Sequence, residues 1–404
     1  MDIILLAVPF FFALIALELV VERVRGTDYY RLNDALTSLT TGVLNQAYGA
    51  VKLLVPFTLY LWAYQHLAMF ELGQGWVVWV LAFILYDLCY YWNHRLGHEM
   101  NLLWAAHVVH HNSEDYNLST ALRQTSTSFL SALFYLPLAV LGFEPLMVLT
   151  VGALNLVYQF WVHTQHIDKL GWFDRVFVSP SNHRVHHGQN PVYVDRNYGG
   201  VFILWDRLFG SFQEELDDDP PIFGIRGALN SWNPLWANLQ FYHQLWQDCL
   251  HTRNWGHKFT LWFRRTGWRP PDVVERYPLQ KTDLDHFQKF DTQLSVISGG
   301  YALLQYIILS VLMLTMMLQL ESIPATQQAW IVVFLFAASY GTGALMQGVT
   351  HARAFELVKH GLLLTSLALW QIPAWSTTML LTLSLLSLAL LPLVRAATTK
   401  PATA

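Results

Sequence analysis

The 404-residue chain has only two cysteines and few charges. Cys89 and Cys249 lie far apart, which excludes a disulfide framework and an iron–sulfur cluster, since a cluster takes about four thiolates. The pair suits a reducing compartment. Charged residues make up 13% of the chain, about half the usual share of a globular protein, which argues against a soluble one. The formal charge of −4 leaves no basic excess with which to coat a nucleic acid. No G-x-G-x-x-G lies on a strand–turn–helix unit, so a built-in dinucleotide site is also absent. There is no fixed-period repeat.

Hydrophobic residues, in contrast, make up 54% of the sequence. Crossing the hydrocarbon core takes roughly 20 apolar residues, and candidate spans lie at 3–21, 39–63, 76–93, 295–320, 327–348, 355–371 and 376–394. The first run has no basic residue before it and no small-residue cleavage site after it, so it is read as a retained anchor and not a signal peptide. A further stretch, 127–162, contains Pro137 and Gly142-Phe-Glu-Pro145 and reads as two short helices in a hairpin that spans or re-enters. The expected fold is an all-α integral membrane bundle. Residues 1–93 supply amino-terminal spans, 94–265 a histidine-rich region, 266–292 a linker and 293–404 a carboxy-terminal block of four membrane helices.

Lys and Arg in short loops mark the cytoplasmic side. Arg23, Arg25 and Arg31 follow the first span, the loop after the second has no basic residue, and Arg353 and Lys359 mark a later cytoplasmic loop. One topology satisfies these loops: the amino terminus faces out and residues 94–187 lie at the cytoplasmic surface. Tryptophans between 232 and 268 suit the layer where membrane meets water. The short amino terminus and compact loops favour a bacterial inner membrane over an endoplasmic reticulum.

Ten of the seventeen histidines fall between His94 and His187. They form HRLGH (His94, His98), HVVHH (His107, His110, His111), HTQH (His163, His166) and HRVHH (His183, His186, His187). Positions i, i+3 and i+4 share a helix face, so each cluster can aim two or three nitrogens the same way. Eight or more imidazoles exceed the three or four protein ligands of one tetrahedral site, and the count asks for two metal ions. His163 is grouped with the ligands; for His166, in the loosest cluster, ligand and non-ligand readings both stand. The isolated histidines read as ordinary surface or hydrogen-bonded residues. With no thiolate nearby, imidazole suits zinc, copper, iron or nickel. Asp115, Tyr116, Asn117, Asp195, Asn197 and Tyr198 could orient histidines, bind a head group or cap helices, and Arg123, Arg184 and Arg207 could contact phosphate. A membrane transporter or sensor using histidines as a relay would place its ligands across the bilayer midplane, whereas these gather at one face.

The segments YYWNHRLGHEMNLLWAAHVVHHNSEDYNLSTALRQ (90–124) and WVHTQHIDKLGWFDRVFVSPSNHRVHHGQNPVYVDRNYGGVFILWDRLFGSFQEE (161–215) resemble the fatty acid hydroxylase/sterol desaturase superfamily of integral-membrane di-iron enzymes, and most closely its ether-lipid-cleaving branch. The chain departs from the family pattern at HTQH, where the family has a single histidine followed by an acidic residue. The resemblance implies that His94, His98, His107, His110, His111, His183, His186 and His187 bind two iron ions. It implies that Glu99 matches a glutamate associated with activity; the residue can also serve by holding a ligand imidazole through its second nitrogen. The implied reaction uses O2 to hydroxylate the carbon beside the ether oxygen of an alkylglycerol, releasing a fatty aldehyde. Electrons would come from an external donor, a tetrahydropterin or a redox protein. The alternative within the same chemistry is a hydroxylase or desaturase of an acyl chain, sterol or other lipid.

Overall fold

A backbone in hydrocarbon must satisfy its own hydrogen bonds, and the apolar runs of this chain do so as helices. The computed structural model describes residues 3–52 and 54–399. Helix α1 covers Ile3–Arg25, and α2 (Leu32–Lys52) and α3 (Leu54–Leu67) share the run expected at 39–63. Next come α4 (Trp76–Glu99), α5 (Asn101–His111) and α6 (Leu118–Ala121). A 3-10 turn, Phe129–Tyr135, leads into α7 (Leu136–Leu141) and α8 (Pro145–Phe160). The polar middle of the chain holds α9 (Pro180–His187), α10 (Leu204–Phe209), α11 (Pro234–His251), α12 (Trp255–Thr260) and α13 (Pro271–Arg276). The carboxy-terminal block is the expected set of four, α14 (Val296–Leu318), α15 (Ala325–Met346), α16 (Ala352–Leu369) and α17 (Ala374–Leu390).

Among the described residues, Trp76–Glu99, Val296–Leu318, Ala325–Met346 and Ala374–Leu393 are long and apolar enough to cross a membrane. Helix α16, expected from the run at 355–371, carries Glu356 and Lys359 on its buried side. An ionic group inside a membrane bundle has to be paired. Lys359 Nζ lies 2.5 Å from Glu356 Oε2 and donates to Gln305 Oε1 at 2.8 Å, while the Tyr301 hydroxyl donates to the same Glu356 oxygen at 2.9 Å. This contact joins the first turns of α16 to α14.

Helix α1 contributes to the structure's core. Phe11 of α1 stacks on Phe160 with ring centroids 4.2 Å apart, and buried Glu18 accepts from Leu118 N at 2.8 Å and Thr164 Oγ1 at 2.5 Å. Helix α2 lies along α14, with Leu32 packed against Gly299. The segment 266–292 contains α13 and is tied to the histidine-rich region: Phe290 N donates to Glu114 Oε2 and Lys289 Nζ to Asp115 Oδ1, each at 2.6 Å.

The 127–162 stretch forms two short helical limbs that turn at Gly142. There φ is +94°, and an added Cβ would sit 1.9 Å from the Phe70 carbonyl oxygen. Gly142→Ala therefore meets both backbone strain of about 1–3 kcal/mol and a clash with fixed backbone. It should lower the thermal midpoint of the detergent-solubilised protein well beyond Gly171→Ala, whose site at φ +67° has nothing within 4 Å. Equal shifts for the two variants would contradict this account of the hairpin.

Candidate metal centre

Helix α4 ends a span and continues without a break through HRLGH, which carries His94 and His98 inward one turn apart. After a one-residue hinge at Met100, α5 brings His107, His110 and His111 back beside them. Helix α9 supplies His183, His186 and His187. It has only eight residues, and its start is fixed by Pro180 and by reciprocal hydrogen bonds between Ser179 and Asn182 of 3.4 and 3.3 Å. His163 follows the end of α8.

These side chains converge as two groups of possible metal donors. One contains His94, His98, His107, His111 and His186, the other His110, His163, His183 and His187, with the donor atoms of each group within 4.8 Å of one another. Each H-x-x-H-H triplet is divided. Its i and i+4 members, His107 with His111 and His183 with His187, share a group, and its i+3 member, His110 or His186, joins the other. The two triplets divide in opposite senses, so each helix serves both groups.

The hydrogen bonds fix which nitrogen faces inward. Nδ1 of His94, His110, His163 and His186 lies 2.8, 3.0, 2.8 and 3.0 Å from the carbonyl oxygens of Tyr198, Arg123, Gln159 and Arg196. A carbonyl has no proton to give, so each Nδ1 is the donor and each Nε2 is left as a lone pair. His110 and His163 nonetheless bring their Nε2 atoms to 3.3 Å. Two lone pairs repel at that distance, and a cation bound to both converts the contact into an attraction. Nε2 of His98, His186 and His187 are buried with no hydrogen-bond partner among the described residues. The donor set therefore fits a metal pair. Burial, reinforced by neighbouring imidazoles, drives the pKa values of His107, His111, His163, His183, His186 and His187 well below the ordinary histidine value, and burial takes His110 down to about 4. These rings are neutral at physiological pH, the state in which imidazole binds metal.

Other residues from the sequence reading take different positions. His166 lies outside both groups, its ring against Tyr29 at 5.0 Å. Among the described residues, Glu99 makes no hydrogen bond to an imidazole. Its Oε1 accepts from Arg95 Nε at 3.1 Å and from the Tyr198 hydroxyl at 3.2 Å, so it reaches His94 only through Tyr198. Arg123 and Arg184 are engaged within the protein, whereas Arg207 is exposed. Buried Arg123 donates to Val109 O and lies against Asp34 and Ser38, Arg184 makes a two-pronged pair with Glu215 at 2.8 and 2.7 Å, and Arg207 lies over Phe212. Asp115 pairs with Arg31 and Lys289, Asn117 caps α6, and the Tyr116 hydroxyl donates to Val162 O while its ring stacks on His163. Asp195 pairs with Arg265, and Asn197 ties the chain to Asn182 and Gln213.

Two aspartates that the sequence reading did not single out hold the turn carrying two of the carbonyl acceptors. Asp206 accepts from Tyr198 N at 2.7 Å, Gly199 N at 2.8 Å and Ser211 Oγ at 2.7 Å. Asp87 accepts from Val201 N, Phe202 N, Trp205 Nε1 and Asn155 Nδ2 at 2.6–3.0 Å. The turn is tight. Asp195 and Asn197 have φ of +61° and +55°, and a Cβ at Gly200 would lie 2.8 Å from Asp87 Oδ1. Asp87 sits in an apolar span, and an acid in that setting is itself a signal of function.

A cavity of about 520 Å³ adjoins the histidines. It reaches His94 and His107 of one group and His110 and His163 of the other. Among the described residues, its lining has no Asp, Glu, Lys or Arg.

Asp206→Ala should loosen the 195–203 turn and weaken metal retention at the group containing His94 and His186 by roughly 10- to 100-fold, the usual cost of losing an outer-shell support. The group containing His110 should hold its ion. Metal content measured through a chelator series reads this out, and retention equal to that of the unaltered protein would show that the turn does not orient the ligands.

The family model for fatty acid hydroxylase matches residues 79–211, the stretch that contains all nine grouped histidines. The chain is 41% identical over 271 residues to alkylglycerol monooxygenase of Homo sapiens, covering 65% of this chain and 59% of that protein. It is 36% identical over 313 residues to alkylglycerol monooxygenase of Danio rerio, covering 75% and 68%. It is also 30% identical over 152 residues to the ornithine lipid hydroxylase OlsE of Rhizobium tropici, covering 37% and 46%. The matched part thus spans 59% of the human relative's length and 68% of the fish relative's. No solved structure matches.

Proposed function

Because the chain belongs to the fatty acid hydroxylase family, we propose that it is a membrane di-iron monooxygenase that oxidises a lipid chain at the carbon beside the ether oxygen of an alkylglycerol. The observation that carries this reading is the uncharged cavity that meets histidines of both groups. An alkyl chain lying there presents a C–H bond to both metal positions at once.

His94, His98, His107, His111 and His186 would hold one iron, and His110, His163, His183 and His187 the other. When bound, the iron pair supplies the O2 chemistry able to break an unactivated C–H bond. The protein's part is to orient the substrate carbon and to keep water away. The carbonyls of Tyr198, Arg123, Gln159 and Arg196 keep four ligand nitrogens bare of protons. Glu99 is a positioning residue in this reading, acting through Tyr198. One oxygen atom of O2 enters the C–H bond and the other leaves as water, with two electrons and two protons supplied by an external donor. A tetrahydropterin fills that role on the family resemblance. The resulting hemiacetal splits into a fatty aldehyde and a free glycerol hydroxyl.

The metal pair faces the cytoplasm in this proposal, on the side of Arg23, Arg25 and Arg31, and the compact loops favour a bacterial inner membrane.

The test is direct. The iron-loaded protein, given O2, a tetrahydropterin and an alkylglycerol, should release fatty aldehyde and contain close to two irons per chain. His186→Ala and His187→Ala remove one ligand from each group. Each should cost more activity than the roughly 10- to 100-fold typical of outer-shell changes, with loss of iron. One metal per chain, or full activity in His186→Ala, would overturn the di-iron assignment. A hydroxylated acyl product without aldehyde would shift the assignment to the acyl-lipid hydroxylases.

A further inference from the structure

The cavity has walls from outside the stretch matched by the family model. Residues 79–211 provide the histidines, but α1, α2 and α14 also line the space. From α14 come Tyr306, Ser310, Met313, Leu314 and Met317. Their spacing is that of a single helix face. From first to last they cover about 16 Å at 1.5 Å per residue.

The direction of that face follows from the packing. Arg123, whose carbonyl accepts from His110, lies against Asp34 and Ser38 near the start of α2. The start of α2 is also level with the start of α14, since Leu32 packs on Gly299. The metal centre is therefore level with the first turns of both helices. The cavity begins at Leu39 on α2 and Tyr306 on α14 and continues to Gln46 and Met317. It thus runs away from the metals into the bundle, and Met317 is the α14 residue farthest along it. On α1 the lining residues are Val8, Phe11 and Phe12.

We propose that this face of α14 holds the far part of the substrate's alkyl chain, and that Met313 and Met317 set the chain length accepted. The proposal rests on the lipid-oxidation reading of the metal site. It gives the carboxy-terminal block a task, as the wall that measures the tail of a lipid whose reacting carbon lies at the histidines. Methionine suits that wall because its unbranched, polarisable side chain adapts to a mobile alkyl chain. A larger ring at either position would fill the far end of the space and leave the near end open.

The experiment is a competition between dodecylglycerol and octadecylglycerol on the full-length protein. Consumption of each lipid and all oxidised products are followed by mass spectrometry, and retention of each by metal-free protein is measured alongside. Met313→Trp and Met317→Trp should lower the octadecyl-to-dodecyl ratio about tenfold in both measurements, the scale on which apolar pockets discriminate chain carbons. Met317→Ala should raise it. Leu303→Trp, on an exposed part of α14 that does not line the cavity, should leave it unchanged. If the tryptophan variants fail to fold, Met317→Ala decides. Ratios in all folded variants equal to that of the unaltered protein would overturn the proposal. An unaltered protein that retains these lipids but forms no aldehyde would count against the ether-cleaving reaction alone, since the retention ratio still tests the wall.

Discussion

Nitrogen lone pairs that share one buried space repel unless a cation lies among them, and the centre of this protein is built on that constraint. Nine imidazoles gather there as two groups. Four have their protons committed outward, to Tyr198, Arg123, Gln159 and Arg196. The carbonyls that accept these protons come from separate parts of the chain, so the centre depends on backbone outside the histidine clusters as well as on the clusters themselves. The 195–203 turn supplies two acceptors and is held by Asp87 from a span and Asp206 from α10. Arg123 supplies another while lying against Asp34 of α2. Disturbing any of these would misdirect a lone pair without removing a ligand.

Charge is distributed to suit this centre. Buried and half-buried acids elsewhere in the bundle are met inside the protein, Glu356 by Lys359, Glu215 by Arg184 and Asp87 by neutral hydrogen-bond donors. The cavity beside the histidines has no Asp, Glu, Lys or Arg in its lining among the described residues. The apolar part of that lining, from Phe11 and Phe12 to Met313 and Met317, accepts hydrocarbon at low cost.

Much of this was legible in the residues. The number of clustered histidines asked for two metal ions, and the structure gathers nine of them in two donor groups; the long apolar runs implied a membrane bundle. The four carboxy-terminal helices and the broken hairpin at 127–162 also followed from hydropathy and proline placement. The division of each triplet between the groups did not follow, because i+3 and i+4 lie on the same helical face and only the neighbouring helices decide which group each ring joins. The surroundings of Glu99 were equally hidden, since Tyr198 lies 99 residues farther along the chain. Asp87 was detectable as an acid in an apolar run, although its partners at 201, 202 and 205 were not. The contribution of α14 to the cavity is a long-range contact that periodicity cannot express.

Helix α9 has a consequence for how the protein is made. It carries three of the nine grouped imidazoles on only eight residues, and an isolated helix shorter than about 12–15 residues is marginal in water. Its cap and the Arg184–Glu215 pair give it order, but its three rings must also be packed against those of α4 and α5. An ion bound to these rings adds its binding free energy to the folding of this segment. If the proposed iron pair is what these rings hold, maturation of the protein would be tied to iron supply, with α9 the segment to which the metal's arrival would contribute most.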